Sequence, residues 1–326
     1  MNVEEQLQVA CRMIEGGGAT SSAKQISEGA KIVKELVETY DNLEAWRYML
    51  ECHERGVGPF KTNKFRRAAK EAITRLEAVS EWKRCHKGGF ASDLSWCDNK
   101  LVRDAMLNKY AQARRQRDKF VEDRVKSRLA ESKFAAAAER LGFDWSRKDR
   151  MTQLQAFAVI EFVTMYDDSE GFVPVDLGIK ETRSGLDSDY DAAMKSLSRL
   201  RYTWSKILDM RPGCGLKCRD MLTDEVFFMF ERNLSKSPEL KDNVIASGVM
   251  PVDDCFMHTG FSLPFPGRGS DDSSAESMLD GLLADLKIPR KHPVILTKEQ
   301  TASFATASIN SWIAADMEDS VGMVFK

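Results

Sequence analysis

Four side chains with the chemistry of zinc ligands lie in two irregular stretches of the second half of the chain. The stretch "RPGCGLKCRD" holds Cys214 and Cys218 on a turn rich in proline and glycine, and "DDCFMH" holds Cys255 and His258. Structural zinc sites draw pairs of ligands from two tight turns, so this pattern predicts a structural Zn²⁺ site. However, three residues separate the two cysteines where zinc knuckles usually have two. Unpaired cysteines are also often small buried hydrophobes, so both interpretations stay open.

A second chemistry indicated by the sequence is the binding of phosphate groups. Arginine suits phosphate because its planar guanidinium donates two parallel hydrogen bonds, and bases recur in "TNKFRRAAKE" and in "ARRQRDKFVEDRVKSR". The alternative is a solvated helix in which Glu122, Asp123 and Glu131 form ion pairs with bases one turn away. The predicted nucleic-acid-binding residues are Lys64, Arg67, Lys70, Arg114, Arg115, Arg117, Lys119, Arg124, Lys126 and Arg128.

The distribution of charge along the chain favours an anionic partner. The net charge of the whole chain is only −2, but residues 61–150 contain 24 Lys and Arg against 13 Asp and Glu. Residues 151–326 contain 18 against 27. A basic block of this size in a near-neutral chain indicates an anionic ligand, for which nucleic acid is the usual candidate. The alternative is that the block contacts the acidic part of the same chain or of another copy, because charge alone specifies no partner.

The sequence contains none of the common enzyme motifs. It has no P-loop, no dinucleotide-binding glycine pattern, no H-E-x-x-H and no G-x-S-x-G. The acidic pair Asp253/Asp254 has no histidine or basic partner at a catalytic spacing. Carboxylates that assemble from distant positions around a divalent metal leave no such motif, so that class stays open. We expect a non-enzymatic protein.

Helices must position most of these residues. A chain of 326 residues with 43% hydrophobic and 30% charged residues is typical of a folded protein with about two domains. We predict a mainly α, multi-helical, two-lobed fold with at most a small β element near 171–178, where Pro174 suits an edge strand. The predicted lobes are 1–146, with a basic surface over 61–141, and 147–326, with a loop-rich segment over 211–270.

Hydrophobic periodicity and capping residues predict the individual helices. Residues 62–86 form the clearest amphipathic helix, because their apolar residues recur every three or four positions. Ser22 with Gln25, and Thr297 with Gln300, have the spacing of a capping box. Further helices are predicted over 99–141, 151–166, 188–210 and 218–234.

The predicted setting is the cytoplasm, without contact with a membrane. The first residues are acidic and amphipathic where a secretory signal is basic and then apolar, and no run approaches roughly 18 apolar residues. Seven scattered cysteines in a chain of this size favour free thiols. The predicted function is that of a non-enzymatic nucleic-acid-binding subunit of a nucleoprotein assembly, whose partners are DNA or RNA and other protein subunits or copies of itself. The alternative is a helical scaffold or adaptor that docks proteins or copies of itself.

Overall fold

The computed structural model describes residues 3–15, 22–147, 153–169, 173–184, 190–265 and 273–314. The chain forms two compact units. The first unit consists of Met1–Lys87 and Ser95–Gln112, and the second consists of Gly88–Leu94 and Ala113–Lys326. The lobe boundary predicted at 146/147 stays a prediction. The described elements are α1 (Val3–Glu15), α2 (Ala23–Tyr40), α3 (Leu43–Glu54), α4 (Asn63–Cys85), α5 (Gly89–Ser92), α6 (Lys100–Phe120), α7 (Glu131–Arg140), α8 (Gln153–Met165), α9 (Pro174–Ser184), α10 (Asp191–Leu197), β1 (Arg201–Arg211), β2 (Gly215–Asp220), β3 (Val226–Phe230), β4 (Val244–Val252), β5 (Cys255–Phe265), α11 (Ser273–Asp285) and α12 (Lys298–Ala314).

Two helices begin at the predicted capping boxes. At the start of α2, the Gln25 N–H donates to Ser22 Oγ at 3.2 Å and the Ser22 N–H donates to Gln25 Oε1 at 3.1 Å. At the start of α12, Thr297 and Gln300 exchange the same pair of bonds at 3.2 and 2.9 Å. Each box satisfies two N–H groups that a helix start leaves without an intrahelical acceptor. Both predictions are confirmed.

The first unit includes the predicted amphipathic helix over 62–86, which is confirmed as α4. Where α4 packs on α3, the Arg75 guanidinium donates to both carboxylate oxygens of Asp41 at 2.9 and 3.1 Å. Trp46 Nε1 donates to the same buried carboxylate at 2.7 Å. These hydrogen bonds satisfy the buried carboxylate and fix the position of α4. The opposite face of α4 is left in solvent. The buried residues of α4 are Ala69, Ala72, Leu76, Val79 and Trp82.

The second unit contains a closed β-barrel. Its strand order is β1-β2-β3-β5-β4, in which β1 pairs antiparallel with both β2 and β4 and β3 pairs parallel with β5. Closure leaves the barrel without a free edge strand. The described residues are still mostly helical, but this barrel is a larger β part than the small element predicted from the sequence. The fold prediction is therefore correct in its mainly helical content and wrong for the extent of β structure.

Alternation along the strands separates an inner and an outer set of barrel side chains. On the outside, Trp204 stacks on Phe265 with ring centroids 4.3 Å apart and donates to Ser308 Oγ of α12 at 2.8 Å. Helices α8, α10 and α12 pack against the strands. On the inside, the apolar cluster is formed by Ile207, Leu216, Cys218, Phe227, Met229, Ile245 and Val249 with residues that follow β3.

The predicted helix over 188–210 is wrong in its second half. Helix α10 ends at Leu197 and strand β1 begins at Arg201, while residues 185–189 lie outside the described residues. The apolar residues fit a helical period, but they also fit the alternation of a strand, and pairing with β2 and β4 decides between the two. The helix predicted over 218–234 is wrong for the same reason, because that stretch forms the end of β2 and all of β3.

The β element predicted near 171–178 is a helix in the described part of that stretch. Residues 170–172 lie outside the described residues, and α9 begins at Pro174. Proline is compatible with the first turn of a helix, where its missing N–H has no intrahelical acceptor. A Cβ at Gly178 would come within 3.2 Å of the Arg124 carbonyl oxygen, so the glycine lets α9 pack closely on the preceding chain.

The long helix predicted over 99–141 is interrupted. Helix α6 ends at Phe120, Val121–Val125 forms a π-helical turn, Lys126–Arg128 forms a 3₁₀ turn, and α7 follows. Phe120, Val121 and Val125 are buried, and the interruption lies against α9. The interruption thus buries three apolar side chains within the second unit, while Arg115, Lys119 and Glu122 around it stay exposed.

The predicted helix over 151–166 is confirmed by α8 over its described residues. Ala158, Val159, Phe162 and Val163 are buried, whereas Phe157 is exposed. Neither α8 nor any other helix among the described residues has the length and apolar character needed to cross a membrane.

Candidate nucleic-acid interface

Five exposed bases lie at the start of α4. We call Lys61, Lys64, Arg66, Arg67 and Lys70 the α4 cluster. The only acid between residues 61 and 71 is Glu71, which pairs with Arg67 at 3.0 Å. Within the described part of the chain, the other four members have no ion pair. The α4 cluster is therefore an exposed excess of positive charge.

The α4 cluster coincides with the positive end of a helix. The first turn of α4 contains no acid, and the N-cap residue Thr62 makes no capping bond through its side chain. Helix N-termini carry a partial positive charge that acidic side chains normally offset, so bases at this end oppose helix stability. An anion bound here would meet both the side-chain charges and the uncapped backbone N–H groups.

Two members of the α4 cluster were not among the predicted binding residues. Lys61 precedes the helix, and Arg66 is adjacent to the predicted Arg67 on the exposed side. The density of bases alone would have identified both. Lys34 of α2 lies with Nζ 5.1 Å from the ring centroid of Phe65 and adds another base beside this helix start. That contact joins two helices, so the local sequence does not reveal it.

The predicted bases in the 3₁₀ turn of the second unit are engaged in ion pairs. Lys126 Nζ lies 3.2 Å from Glu122 Oε2, one helical turn earlier. Arg128 pairs with Glu181 of α9. For these two residues the alternative of a self-neutralising surface describes the structure better than a free phosphate-binding group.

Two further predicted bases form cation–π contacts with the ring of Tyr190. Lys119 Nζ and Arg124 Cζ lie 5.3 and 5.2 Å from the Tyr190 ring centroid, and the Tyr190 hydroxyl donates to Asp123 Oδ2 at 2.7 Å. Each cation–π contact contributes about 0.5 to 1 kcal/mol at a partly exposed site. Lys119 is exposed, whereas Arg124 is half-buried.

Arg114 and Arg115 remain on the surface of α6. Arg114 Nε lies 3.9 Å from Asp118 Oδ2, a long exposed pair of small energetic value. Arg115 is exposed and has no ion pair within the described residues. These two residues and Lys119 are the exposed bases of the second unit that we retain as candidates.

Arg117 differs most from the sequence-based expectation, because its side chain is only 6% exposed. Its Nη1 donates to the carbonyl oxygens of His258, at 3.2 Å, and of Thr259. The Thr259 hydroxyl in turn donates to the buried carboxylate of Glu161. The guanidinium thus joins α6 to β5 and through it to α8. We correct its assignment from a phosphate-binding residue to a structural one.

The register of the barrel separates the predicted zinc ligands. Cys218 lies on the inner face of β2, in the same apolar cluster as Met229. Met229 pairs with Phe256, so Phe256 also faces inward and its neighbour Cys255 faces outward. Side chains on opposite faces of a strand layer do not reach one ion. Burial also raises the pKa of the Cys218 thiol, whereas zinc requires the thiolate.

The fourth predicted ligand, His258, already has partners on both ring nitrogens. Nε2 contacts the Glu231 carboxylate, and Nδ1 accepts a hydrogen bond from the Gly260 N–H at 3.1 Å. Burial raises the pKa of Glu231, but the bond from His258 and the N–H groups of Asn233 and Leu234 outweigh it and lower that pKa to about 2. The pair is a structural link between β5 and the chain after β3.

Zinc stays a prediction, and metal analysis tests it. Among the described residues, no three His, Cys, Asp or Glu side chains are grouped to hold a metal ion, and the four predicted residues do not fit one site. The zinc hypothesis predicts one equivalent per chain in protein purified without chelator, and a lower Tm after chelation. Folded protein that contains no zinc, with a Tm that a chelator does not change, would contradict it.

Comparison with protein-family models, with curated proteins and with solved structures gave no match to this chain. The class of the protein is therefore defined by its own architecture, a helical protein that contains a closed five-stranded barrel.

Proposed function

We propose that this protein is a non-enzymatic nucleic-acid-binding subunit of a nucleoprotein assembly, and that it contacts the phosphate backbone mainly through the α4 cluster. Backbone contacts carry little sequence information, so binding should depend weakly on sequence. Arg114, Arg115 and Lys119 form a second, smaller candidate surface in the other unit. Each of the two surfaces is proposed from the exposure and charge of its own residues.

The observation that carries this proposal is the excess of exposed bases at the N-terminus of α4. Bases next to the N-terminus of a helix are repelled by the partial positive charge of that helix end. A surface that only needs to be soluble therefore gains nothing from bases at this position. Four of the five bases have no ion pair within the described residues, so a polyanion would not have to displace an acidic partner. Phosphate groups bound there would release counterions, which is the main source of backbone affinity.

The barrel supports the same class of ligand, but less directly. A five-stranded barrel is also the general architecture of the oligonucleotide- and oligosaccharide-binding folds. A fold alone does not define a function. Moreover, Phe228 and Phe230 on the outer face of β3 are fully buried, and α5 packs against this strand. We therefore assign the contact to the basic helix surface and not to the barrel wall.

A salt titration tests the proposal. Binding of labelled single-stranded and duplex DNA and RNA is measured by fluorescence anisotropy as salt is raised. If the α4 cluster neutralises about four phosphates, the affinity for duplex should fall roughly 100-fold between 50 and 200 mM salt. Two unrelated sequences of equal length should bind equally well. Absence of binding to any of these nucleic acids at the lowest salt would contradict the proposal.

The rival proposal is a scaffold that docks proteins or copies of itself through charge. The acidic excess of residues 151–326 favours it, because that excess could receive the basic surface of another copy. It predicts assemblies that dissociate as salt is raised in the absence of nucleic acid. Light scattering on nuclease-treated protein distinguishes the two, since a phosphate-binding subunit shows no such salt-dependent change of mass.

A further inference from the structure

One half of the barrel interior is polar. Ser205 on β1 lies opposite Asp220 of β2, and Thr203 lies opposite Ser247 of β4. Ser247 in turn lies opposite Ser262 of β5. Residues directly opposite each other on paired strands face the same side, and Ser205 lies two residues before the inward-facing Ile207. These five side chains therefore form a continuous polar patch on the inner face.

Only part of this patch is hydrogen-bonded within the protein. Thr203 Oγ1 donates to Asp220 Oδ1 at 2.7 Å, and the same oxygen accepts from the Leu222 N–H at 2.8 Å. Arg201 Nε lies 3.4 Å from Asp220 Oδ2, without the geometry of a hydrogen bond. In this patch and on the neighbouring Arg201, the buried atoms that have no hydrogen-bond partner among the described residues are Ser205 Oγ, Ser247 Oγ, Ser262 Oγ, Asp220 Oδ2, Arg201 Nε and Arg201 Nη2.

Six unsatisfied polar atoms on neighbouring strand positions favour a bound ligand. Ser205, Ser247 and Asp220 have no exposed surface, and Ser262 has 8%. Each buried polar atom without a partner costs about 1 to 3 kcal/mol, and native proteins contain few of them. The costs of six such atoms together would consume much of the usual stability of a domain.

The chemistry of the six atoms selects the ligand. The guanidinium nitrogens only donate, the carboxylate oxygen only accepts, and the three hydroxyls do both. Asp220 would repel an anion, Arg201 would repel a cation, and an apolar molecule would form no hydrogen bond with any of these atoms. Water donates and accepts, and a buried water makes two to four hydrogen bonds. Barrels need about eight strands to hold a small ligand, so five strands leave room for little more than water.

We infer that the polar half of the barrel interior is a binding site for ordered water molecules, which bridge Ser205, Ser247 and Ser262 to the Arg201–Asp220 pair. The water is a structural component of the barrel. It completes hydrogen bonds on β1, β2, β4 and β5, so it links strands that are not neighbours in sequence. This inference does not depend on the proposed function.

A high-resolution crystal structure tests the site directly. We expect ordered waters within hydrogen-bonding distance of at least two of the three serine hydroxyls, with further bonds to Arg201 or Asp220. The inference would be overturned if the hydroxyls bonded only to protein atoms, or if an ion or an organic molecule filled the compartment.

The sign of a stability change gives an independent test. In a hydrated compartment, changing Ser205, Ser247 or Ser262 to alanine removes a partner from a bound water and should lower the Tm by about 2 °C. In a dry compartment the same change removes an unsatisfied hydroxyl, so an unchanged or raised Tm would contradict the inference. Ser308→Ala is the matched control. Its buried hydroxyl donates to the Phe304 carbonyl at 2.7 Å, so the Tm should fall in either case.

Discussion

Replacing Arg117 by alanine should lower the free energy of unfolding by about 3 kcal/mol or more, the largest effect expected for any single predicted binding residue. The change leaves the carbonyl oxygens of His258 and Thr259 without their charged donor inside the protein. It also removes a buried cation beside the hydrogen-bonded Thr259 and Glu161 pair. Urea denaturation followed by circular dichroism measures the loss. Arg117→Lys should recover only part of the stability, because lysine lacks the planar fork.

Arg115→Ala is the matched control for this measurement. Arg115 lies two positions earlier on the same helix, and it is exposed, so its replacement should change stability by less than about 0.5 kcal/mol. Folded Arg117→Ala should bind nucleic acid as the unchanged protein does. An Arg117→Ala variant of normal stability that no longer binds nucleic acid would restore the phosphate-binding role and contradict the structural one.

Charge reversal in the α4 cluster should have the largest effect on binding. Changing Lys64, Arg66 and Lys70 together to glutamate should weaken nucleic-acid binding roughly 100-fold at low salt and flatten its salt dependence, because three phosphate contacts become repulsive. The same change places acids near the N-terminus of α4, where they interact favourably with the helix. The Tm should therefore stay the same or rise, which separates loss of binding from loss of folding.

The control reverses an equal number of bases in the same unit. Arg47, Arg55 and Arg84 are exposed, and each already pairs with an acid, at 2.7, 3.0 and 2.5 Å respectively. Reversal of these three changes the net charge equally but should reduce binding far less. If both triple variants lost affinity to the same degree, binding would reflect total charge alone and the α4 cluster would not be the contact surface.

The structure changes which predicted bases are available for binding. The sequence shows that residues 61–141 are basic, and the stretch around Arg114–Arg117 has the densest run of arginines. In the structure, Arg117 is buried and Arg128 pairs with Glu181 of a later helix. The bases at the start of α4 include fewer arginines than the run at Arg114–Arg117. However, fewer of them pair with an acid. Neither the partner of Arg128 nor the burial of Arg117 follows from neighbouring residues.

The cysteine turn illustrates the same limit. "RPGCGLKCRD" contains the predicted turn, which connects β1 to β2. The spacing of the cysteines in the sequence predicted that Cys218 and Cys255 bind one zinc ion. Strand alternation and register instead place them on opposite faces of the barrel wall. The decisive facts are the pairings of β3 with β2 and with β5, which no local pattern contains.

The sequence alone determined the features that depend on residues within about one helical turn of each other. These are the amphipathic helix α4, the capping boxes of α2 and α12, and the excess of bases, because each follows from periodicity, a side-chain bond to a nearby N–H, or composition. Tertiary structure alone decided the features that join distant residues. Arg201 pairs with Val249 and Arg117 bonds to Thr259, so the barrel and the burial of that arginine arise from contacts whose favourable energy outweighs local helix preference.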